Sequence, residues 1–424
     1  MRQKKFWFTI GGVFAVLALG LMLPTGAGAA STYKTLHEFK GPDGANPYAG
    51  LVFDTGGNLY GTTQGGGVHN SGTVFKLKPN ADGSWTESVL HNFCSLANCA
   101  DGFDPTASLT FDAAGNLYGT AQQGGNAACA QGCGVVFKLT PNSNGSWTES
   151  VLHTFNVTDG AFPTSGLIFD SAGNLYGTTF NGGTFDAGTA FKLAPNADRT
   201  WTESVLYNFC NLSTCGYNPD ASLVFDGAGN LYGTTHGGGS AVCVCGTVFK
   251  LTPNSDGSWT ESVLYLFNGT DGAYPAAGLI FDTEGNLYGT TSYGGISSCS
   301  SPNGLYTCGT VFELTPNSDG SWAESVIRYF SSAAFPQGSL TFDAAGNLYG
   351  TTPSGGFANN GRLFKLAPQS GGGWSYSVLR LFHGKPAADP SGSVVFDKAG
   401  NLFGMTQSCG SGYNCFGVVY EIVP

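Results

Sequence analysis

After its first thirty residues the chain is almost entirely short runs of aromatic and β-branched residues, each broken by a cluster of Gly, Asn, Asp or Ser. Such runs read as strands separated by tight turns. In the first unit they are Leu51-Val52-Phe53, Asn58 to Thr63, Gly72-Thr73-Val74-Phe75-Lys76-Leu77, and Trp85 to Phe93. Asp54-x-x-Gly57-Asn58 joins the first two, where an Asp side chain satisfies turn N–H groups and Gly takes a left-handed conformation. Asn80-Ala81-Asp82-Gly83 plays the same part between the third and fourth. Leu51 and Phe53 point to one face and Val52 to the other, so the sheet is apolar on both sides and must be covered on both.

The unit repeats. Phe-Asp-x-x-Gly-Asn-Leu-Tyr-Gly-Thr occurs at Phe53, Phe111, Phe169, Phe225, Phe281 and Phe342, with the variant Phe-Asp-x-x-Gly-Asn-Leu-Phe-Gly-Met at Phe396. The Gly-Asn asparagines (Asn58, Asn116, Asn174, Asn230, Asn286, Asn347, Asn401) are 58, 58, 56, 56, 61 and 54 residues apart, a period of about 57 that belongs to repeat architectures. Seven four-stranded antiparallel sheets, each sandwiched by its neighbours, predict an all-β, seven-bladed β-propeller over residues 31–424. A β-solenoid fits less well because its coils are shorter and parallel. The last unit stops after its third strand, Gly417 to Ile422, whereas Tyr33-Lys34-Thr35-Leu36-His37-Glu38-Phe39 aligns with Glu87-Ser88-Val89-Leu90-His91-Asn92-Phe93. The N-terminal strand is therefore expected to complete the last blade and close the ring, removing the open sheet edges.

Residues 1–30 carry Arg2, Lys4 and Lys5, an apolar run from Phe6 to Leu23, and Ala27-Gly28-Ala29-Ala30, which read as a cleavable secretory signal. The expected compartment is extracellular or periplasmic, with no membrane span once the leader is gone. Twelve cysteines fall into six close pairs, Cys94/Cys99, Cys129/Cys133, Cys210/Cys215, Cys243/Cys245, Cys299/Cys308 and Cys409/Cys415, consistent with local disulfides in an oxidising compartment. Zinc fails as a rival because no His lies at ligand spacing beside them. Whether Cys243 and Cys245 bond each other or partners in another loop is open at this point. Only 11% of residues are charged while Gly numbers 66 of 424, which fits a turn-dense β protein and excludes a helical one laced with salt bridges. Net charge is −11, or −14 without Arg2, Lys4 and Lys5, so nucleic acid is not expected as a partner. A monomer is expected.

Gly-Asn-Leu-Tyr-Gly-Thr-Thr-x-x-Gly-Gly followed by Gly-Thr-Val-Phe-Lys-Leu resembles the GloVer tandem repeat of secreted bacterial "choice-of-anchor" proteins, over residues 33 to 424. The Asp-x-x-Gly-Asn turn is more loosely similar to NHL-type and gluconolactonase-like propellers. The resemblance implies a bacterial, secreted or surface protein and no established reaction. Family members often end in an anchor; this chain departs by ending on a strand.

Turns between first and second and between third and fourth strands share one face of such a ring and are monotonous here. All twelve cysteines and most length variation map to the opposite face, where binding is expected. Each first strand follows a Pro (Pro47, Pro105, Pro163, Pro219, Pro275, Pro336, Pro390), and the preceding residues, Asn46, Asp104, Phe162, Asn218, Tyr274, Phe335 and Asp389, are candidate ligand-binding groups at the channel mouth. They form an acid-or-amide arc and an aromatic arc, a pairing suited to sugar rings and hydroxyls. The competing expectation is that they are turn residues only. Asp104, Asp389 and Asn46 offer hard oxygens that suit Ca²⁺, but no spacing supports a site, and no metal or cofactor is expected. The Asp-Gly pairs at Asp43, Asp101, Asp159 and Asp271 read as turn chemistry, the Trp series from Trp85 to Trp374 as packing between blades, and His37, His91 and His153, which alternate with Tyr207, Tyr265, Arg328 and Arg380, as solvent-facing. No catalytic residue is assigned, since no nucleophile elbow, zinc-protease pair or phosphate loop occurs. The expected function is binding or interaction with a carbohydrate, a cell-surface ligand or a surface protein. The alternative is a metal-dependent, lactonase- or lyase-like propeller enzyme.

Overall fold

The computed structural model describes residues 31–210, 215–239, 243–295, 308–331, 333–409 and 415–423. The expected leader lies outside the described residues. Seven four-stranded antiparallel sheets form a propeller, with no α-helix among the described residues. In blade 1 the strands from the axis outward are Val52–Phe53, Leu59–Thr63, Thr73–Pro79 and Trp85–Asn92. The next five blades repeat this order, and the last joins Ala388–Phe396, Leu402–Ser408 and Val418–Val423 to the N-terminal strand Thr32–Glu38.

The closing strand copies the outer strands in detail. It pairs antiparallel with the chain end, Tyr33 opposite Ile422 and Glu38 opposite Val418, and its register shifts between Thr35 and His37. The outer strand of blade 1 makes the same shift around Leu90, where His91 faces Val74 and Val89 faces Phe75. Lys34 Nζ reaches across to donate to the Gly83 carbonyl of blade 1. The ring is thus fastened by strand pairing at one blade and by contact with the next.

Repeated residues explain the packing. In Leu-Tyr-Gly-Thr the Gly is required because Phe of the third strand lies across it: a Cβ on Gly61 would sit 2.8 Å from Phe75 Cζ. The Tyr beside it meets the following blade, Tyr60 edge-on to Phe111 at 5.1 Å and to Trp147 at 6.1 Å, and the same trio recurs as Tyr118, Phe169 and Trp201. The Trp series therefore packs between blades. A second lock joins Gly before the third strand to Pro of the next blade: a Cβ on Gly72, at φ +99, would meet Pro105 Cδ at 2.5 Å and the Thr63 carbonyl at 2.6 Å. Gly417 and Pro47 repeat it across the closure.

On the turn face, Asp54 Oδ1 accepts from the N–H groups of Gly56 and Asn58, and Oδ2 accepts from Asn58 Nδ2 and the Tyr60 hydroxyl. Burial works to raise the Asp54 pKa, and these bonds outweigh it, so the carboxyl is held below its ordinary value. On the opposite face five disulfides, Cys94–Cys99, Cys129–Cys133, Cys210–Cys215, Cys243–Cys245 and Cys409–Cys415, tie the connectors and loops. Cys243 and Cys245 bond each other. The sixth expected pair, Cys299/Cys308, differs from these five because Cys299 lies outside the described residues, so no Cys299–Cys308 geometry is established. Cys308 itself is disulfide-bonded and fully buried, packed with Tyr288, Phe330 and Leu340 in the core between blades 5 and 6. No helix among the described residues is long and apolar enough to cross a membrane.

Candidate functional site

The seven residues before the prolines share one conformation. Asn46, Asp104, Phe162, Asn218, Tyr274, Phe335 and Asp389 all lie at positive φ, between +49° and +63°. A residue before Pro is ordinarily extended. Here two hydrogen bonds override that preference: the N–H donates to the preceding blade, Asp104 to Ser71 and Tyr274 to Cys245, and the carbonyl accepts from the end of its own second strand, Asp104 from Gln122 and Tyr274 from Ser292. Asn and Asp tolerate this conformation, whereas an aromatic there costs about 1–2 kcal/mol. Both bonds form at Asn46, Asp104, Phe162, Asn218 and Tyr274, the Asp389 N–H donates to Asn360, and blade 6 departs because Pro353 has no N–H to give the Phe335 carbonyl; the positive φ is common to all seven and does not set the choice of side chain.

Two cavities occupy the axis. The larger, about 440 Å³, is walled by residues just after the prolines and by the ends of second strands, including Tyr48, Gln64, Gln122, Phe180, Asp220 and Gln337. The second, about 370 Å³, opens among the loops and is lined by Tyr48, Tyr293, Phe335, Gln337, Asp389 and Gln407 with Pro353 and Ser354. Tyr48 and Gln337 border both, and the Tyr48 hydroxyl donates to Gln337 Oε1 at 2.9 Å over the intervening blade 7. Deeper in the channel the third residues after the prolines alternate: the N–H groups of Gly50, Gly166 and Gly278 donate to the Oγ of Ser108, Ser222 and Ser339, each at 2.9 Å.

Of the sequence-predicted mouth residues, Phe335 and Asp389 line the outer cavity, and Asp389 Oδ2 accepts from Ser408 Oγ at 2.6 Å. Asn46, Asp104, Phe162, Asn218 and Tyr274 line neither cavity. Phe162 packs into the core between blades, and Asn218 Nδ2 donates to the Phe180 carbonyl. Tyr274 belongs to an unbroken aromatic run around the mouth: Phe180 to His236 at 6.2 Å, His236 stacked on Tyr274 at 4.8 Å, Tyr274 to Tyr293 at 5.5 Å, and Tyr293 to Phe335 at 5.0 Å. The run spans blades 3 to 6. Facing it from blades 7, 1 and 2 stand the amides Gln407, Gln64 and Gln122 and the carboxyl of Asp389, while Gln337 lines both cavities beside Phe335 on blade 6.

Burial governs the titrating groups. It raises the Asp220 pKa, against the opposing effects of Thr164 and His236, and it lowers the His236 pKa, against the Asp220 charge. Burial, with the Asp220 charge, pushes the Tyr48 hydroxyl up to about 12. Burial also raises Asp104, which Gln64 partly offsets. Thr106 Oγ1 and His236 Nδ1 are buried with no hydrogen-bond partner among the described residues. Among the described residues, neither cavity is lined by Lys or Arg.

Two rings escaped the sequence reading: the residues after each Pro (Tyr48, Thr106, Thr164, Asp220, Ala276, Gln337, Ser391) and those after Leu-Tyr-Gly-Thr-Thr (Gln64, Gln122, Phe180, His236, Ser292, Pro353, Gln407). Their signal was variability at one place inside an otherwise constant motif. The histidine assignment needs correction. His37, His91 and His153 do not face solvent but pack at the seams between blades, their Nε2 atoms 3.1, 3.4 and 3.2 Å from Asp43, Asp101 and Asp159, because the next blade covers the outer strand. Those Asp side chains also cap their connectors, as Asp101 does for the Ser95 and Leu96 N–H groups.

A search of curated proteins finds no significant match. Among solved structures the fold is similar to that of virginiamycin B lyase from Staphylococcus aureus, at 16% identity and a TM-score of 0.54 over 93% of this chain and 99% of that one. It is also similar to an ulvan lyase of a polysaccharide lyase family, at 13% identity and a TM-score of 0.55 over 89% of this chain and 94% of that one. At such identity the likeness concerns the propeller alone. The model of the Gloeobacter/Verrucomicrobia repeat matches residues 24–145, 126–301 and 296–424, and with seven copies of its motif in one closed ring the chain belongs to that repeat family.

Proposed function

We propose that the chain is an exported binding module that takes a neutral, hydroxyl-rich ligand, a saccharide, at the channel mouth on the disulfide-bearing face. The observation that carries this reading is the aromatic run from Phe180 to Phe335 opposite a wall of amides with the Asp389 carboxyl. Sugar rings stack on aromatic faces, while hydroxyls need both acceptors and donors, which Gln side chains supply together. An acidic ligand would find no cation in the lining, and a purely apolar one would leave the Gln and Asp groups unpaired. The leader-like segment and the disulfides support an oxidising compartment. The test is a screen of neutral oligosaccharides followed by titration calorimetry, with Phe335→Ala and Tyr293→Ala expected to weaken binding at least tenfold.

A second reading, an enzyme of elimination or hydrolysis, draws on the Asp220 carboxyl, whose charge acts on both His236 and Tyr48, and on lyase names among the structural neighbours. A largely unprotonated His236 at neutral pH suits a general base. Turnover of a lactone or glycan that His236→Ala abolishes while binding persists would favour it. Loss of that turnover on chelation would add the metal dependence.

A further inference from the structure

Each seam between blades pairs a residue near the end of one outer strand with a residue near the start of the next, and the two change together around the ring. Arg328 lies over Tyr376 at 3.9 Å, and Arg380 over Tyr33 at 4.2 Å. Tyr207 bonds Glu261, and the Tyr265 hydroxyl donates to Asp271 at 2.6 Å beside Glu324. In those four seams the residue on the first strand brings a guanidinium or a hydroxyl. In the other three it is a histidine facing two carboxyls: His37 with Asp43 and Glu87, His91 with Asp101 and Glu149, His153 with Asp159 and Glu203.

The third of these is arranged differently from its siblings. At the first, His37 Nε2 and Asp43 are hydrogen-bonded to each other. At the second, Asp101 accepts three bonds, from the Ser95 N–H, the Ser95 hydroxyl and the Leu96 N–H. At the second and the third alike, the His Nε2 and the Glu Oε1 (His91 and Glu149, His153 and Glu203) are buried without a hydrogen-bond partner among the described residues, so the third differs in how closely its three groups converge. Asp159 Oδ2 accepts from Asn156 Nδ2 at 2.8 Å and keeps a lone pair for the centre of the seam. One ligand atom from each of His153, Asp159 and Glu203 lies within 4.8 Å of the others, the only such group of three or more among the His, Cys, Asp and Glu of the described residues.

We propose that His153, Asp159 and Glu203 hold a divalent cation of the zinc type in the seam between blades 2 and 3, joining their outer strands. One imidazole nitrogen with two carboxylate oxygens is a borderline donor set, which suits Zn²⁺ and not Ca²⁺, whose ligands are oxygens. Ligand atoms about 2.0–2.2 Å from a common Zn²⁺ lie a little over 3 Å apart, so small side-chain rotations close the site. Three protein ligands leave a fourth position for water at this half-buried surface. The cation supplies the positive partner that Arg supplies elsewhere in the ring.

The experiment is titration of the untagged, oxidised, metal-stripped protein with Zn²⁺, read by calorimetry and by thermal melting. One equivalent is expected to bind and to raise Tm; His153→Ala abolishes it, Glu203→Gln weakens it at least tenfold, and His91→Ala leaves it unchanged. Glu203→Gln keeps the side-chain shape, so it carries the test if His153→Ala fails to fold. No saturable binding at 100 µM Zn²⁺, or binding that survives His153→Ala or Glu203→Gln, overturns the proposal.

Discussion

The two faces of the ring are built on one repeated backbone and differ in what they vary. On the turn face the Asp54 network recurs at Asp112, Asp170, Asp226, Asp282 and Asp343 with the same partners at nearly the same distances. At the mouth, seven residues with one backbone conformation carry Asn, Asp, Phe, Asn, Tyr, Phe and Asp. Structural duty alone would fill those places with Asn or Asp, which accept the left-handed conformation at low cost. Aromatics at Phe162, Tyr274 and Phe335 accept strain; Tyr274 and Phe335 belong to the mouth's aromatic run, the surface on which the proposed function places a ligand.

The largest change that separates structure from ligand binding is removal of residues 31–39. It strips the outer strand from blade 7 and exposes Val418–Val423 as an edge, so loss of the native near-ultraviolet circular dichroism and aggregation are expected. Gly72→Ala comes next. It sets a Cβ against Pro105 and the Thr63 carbonyl at positive φ and should cost about 2–5 kcal/mol in denaturant unfolding. Asp170→Ala on the turn face removes four acceptor contacts and should cost about 2–3 kcal/mol with ligand binding intact. Phe335→Asn should do the reverse: relief of about 1 kcal/mol of backbone strain offsets the lost contact with Tyr293, leaving stability within about 1 kcal/mol of wild type while binding disappears. If Phe335→Asn is as damaging as Asp170→Ala, the contrast between the faces fails.

The smallest effect concerns pH. Burial, aided by the Asp271 charge and opposed by Tyr265, pushes Glu324 up to about 7. A carboxyl whose folded pKa exceeds its unfolded one binds its proton more tightly when folded, so its contribution is present below about 4.5 and is lost as pH rises to about 7. Glu324→Gln should flatten that decline, measured as the difference in Tm between pH 4.5 and pH 7.5. The Asp54 family acts with opposite sign, its stabilisation lost as pH falls below the ordinary carboxyl value.

Blade count, strand order, closure by Tyr33 to Phe39, inter-blade Trp packing and the Asp turns were all legible in the sequence, because each is written seven times and the copies check one another. The mouth was legible only as a set of positions. The rule for residues before Pro favours extended backbone, and nothing local announces that hydrogen bonds such as Tyr274 to Cys245 override it. Asp220 and His236 both belong to blade 4 and Tyr48 to blade 1, and the Asp220 charge acts on Tyr48 only across the closed ring, so no spacing could join Tyr48 to the other two. The histidine seams were misread for a related reason: a side chain at the end of an outer strand looks exposed in its own blade and is covered by the next.

The most direct test is a titration of the neutral oligosaccharide that scores highest on a glycan array against wild type, Phe335→Asn and Asp170→Ala. The account predicts saturable one-to-one binding to wild type, the same affinity for Asp170→Ala, and at least a tenfold loss for Phe335→Asn at unchanged stability. An array with no neutral glycan above background, or equal affinity for wild type and Phe335→Asn, would contradict it.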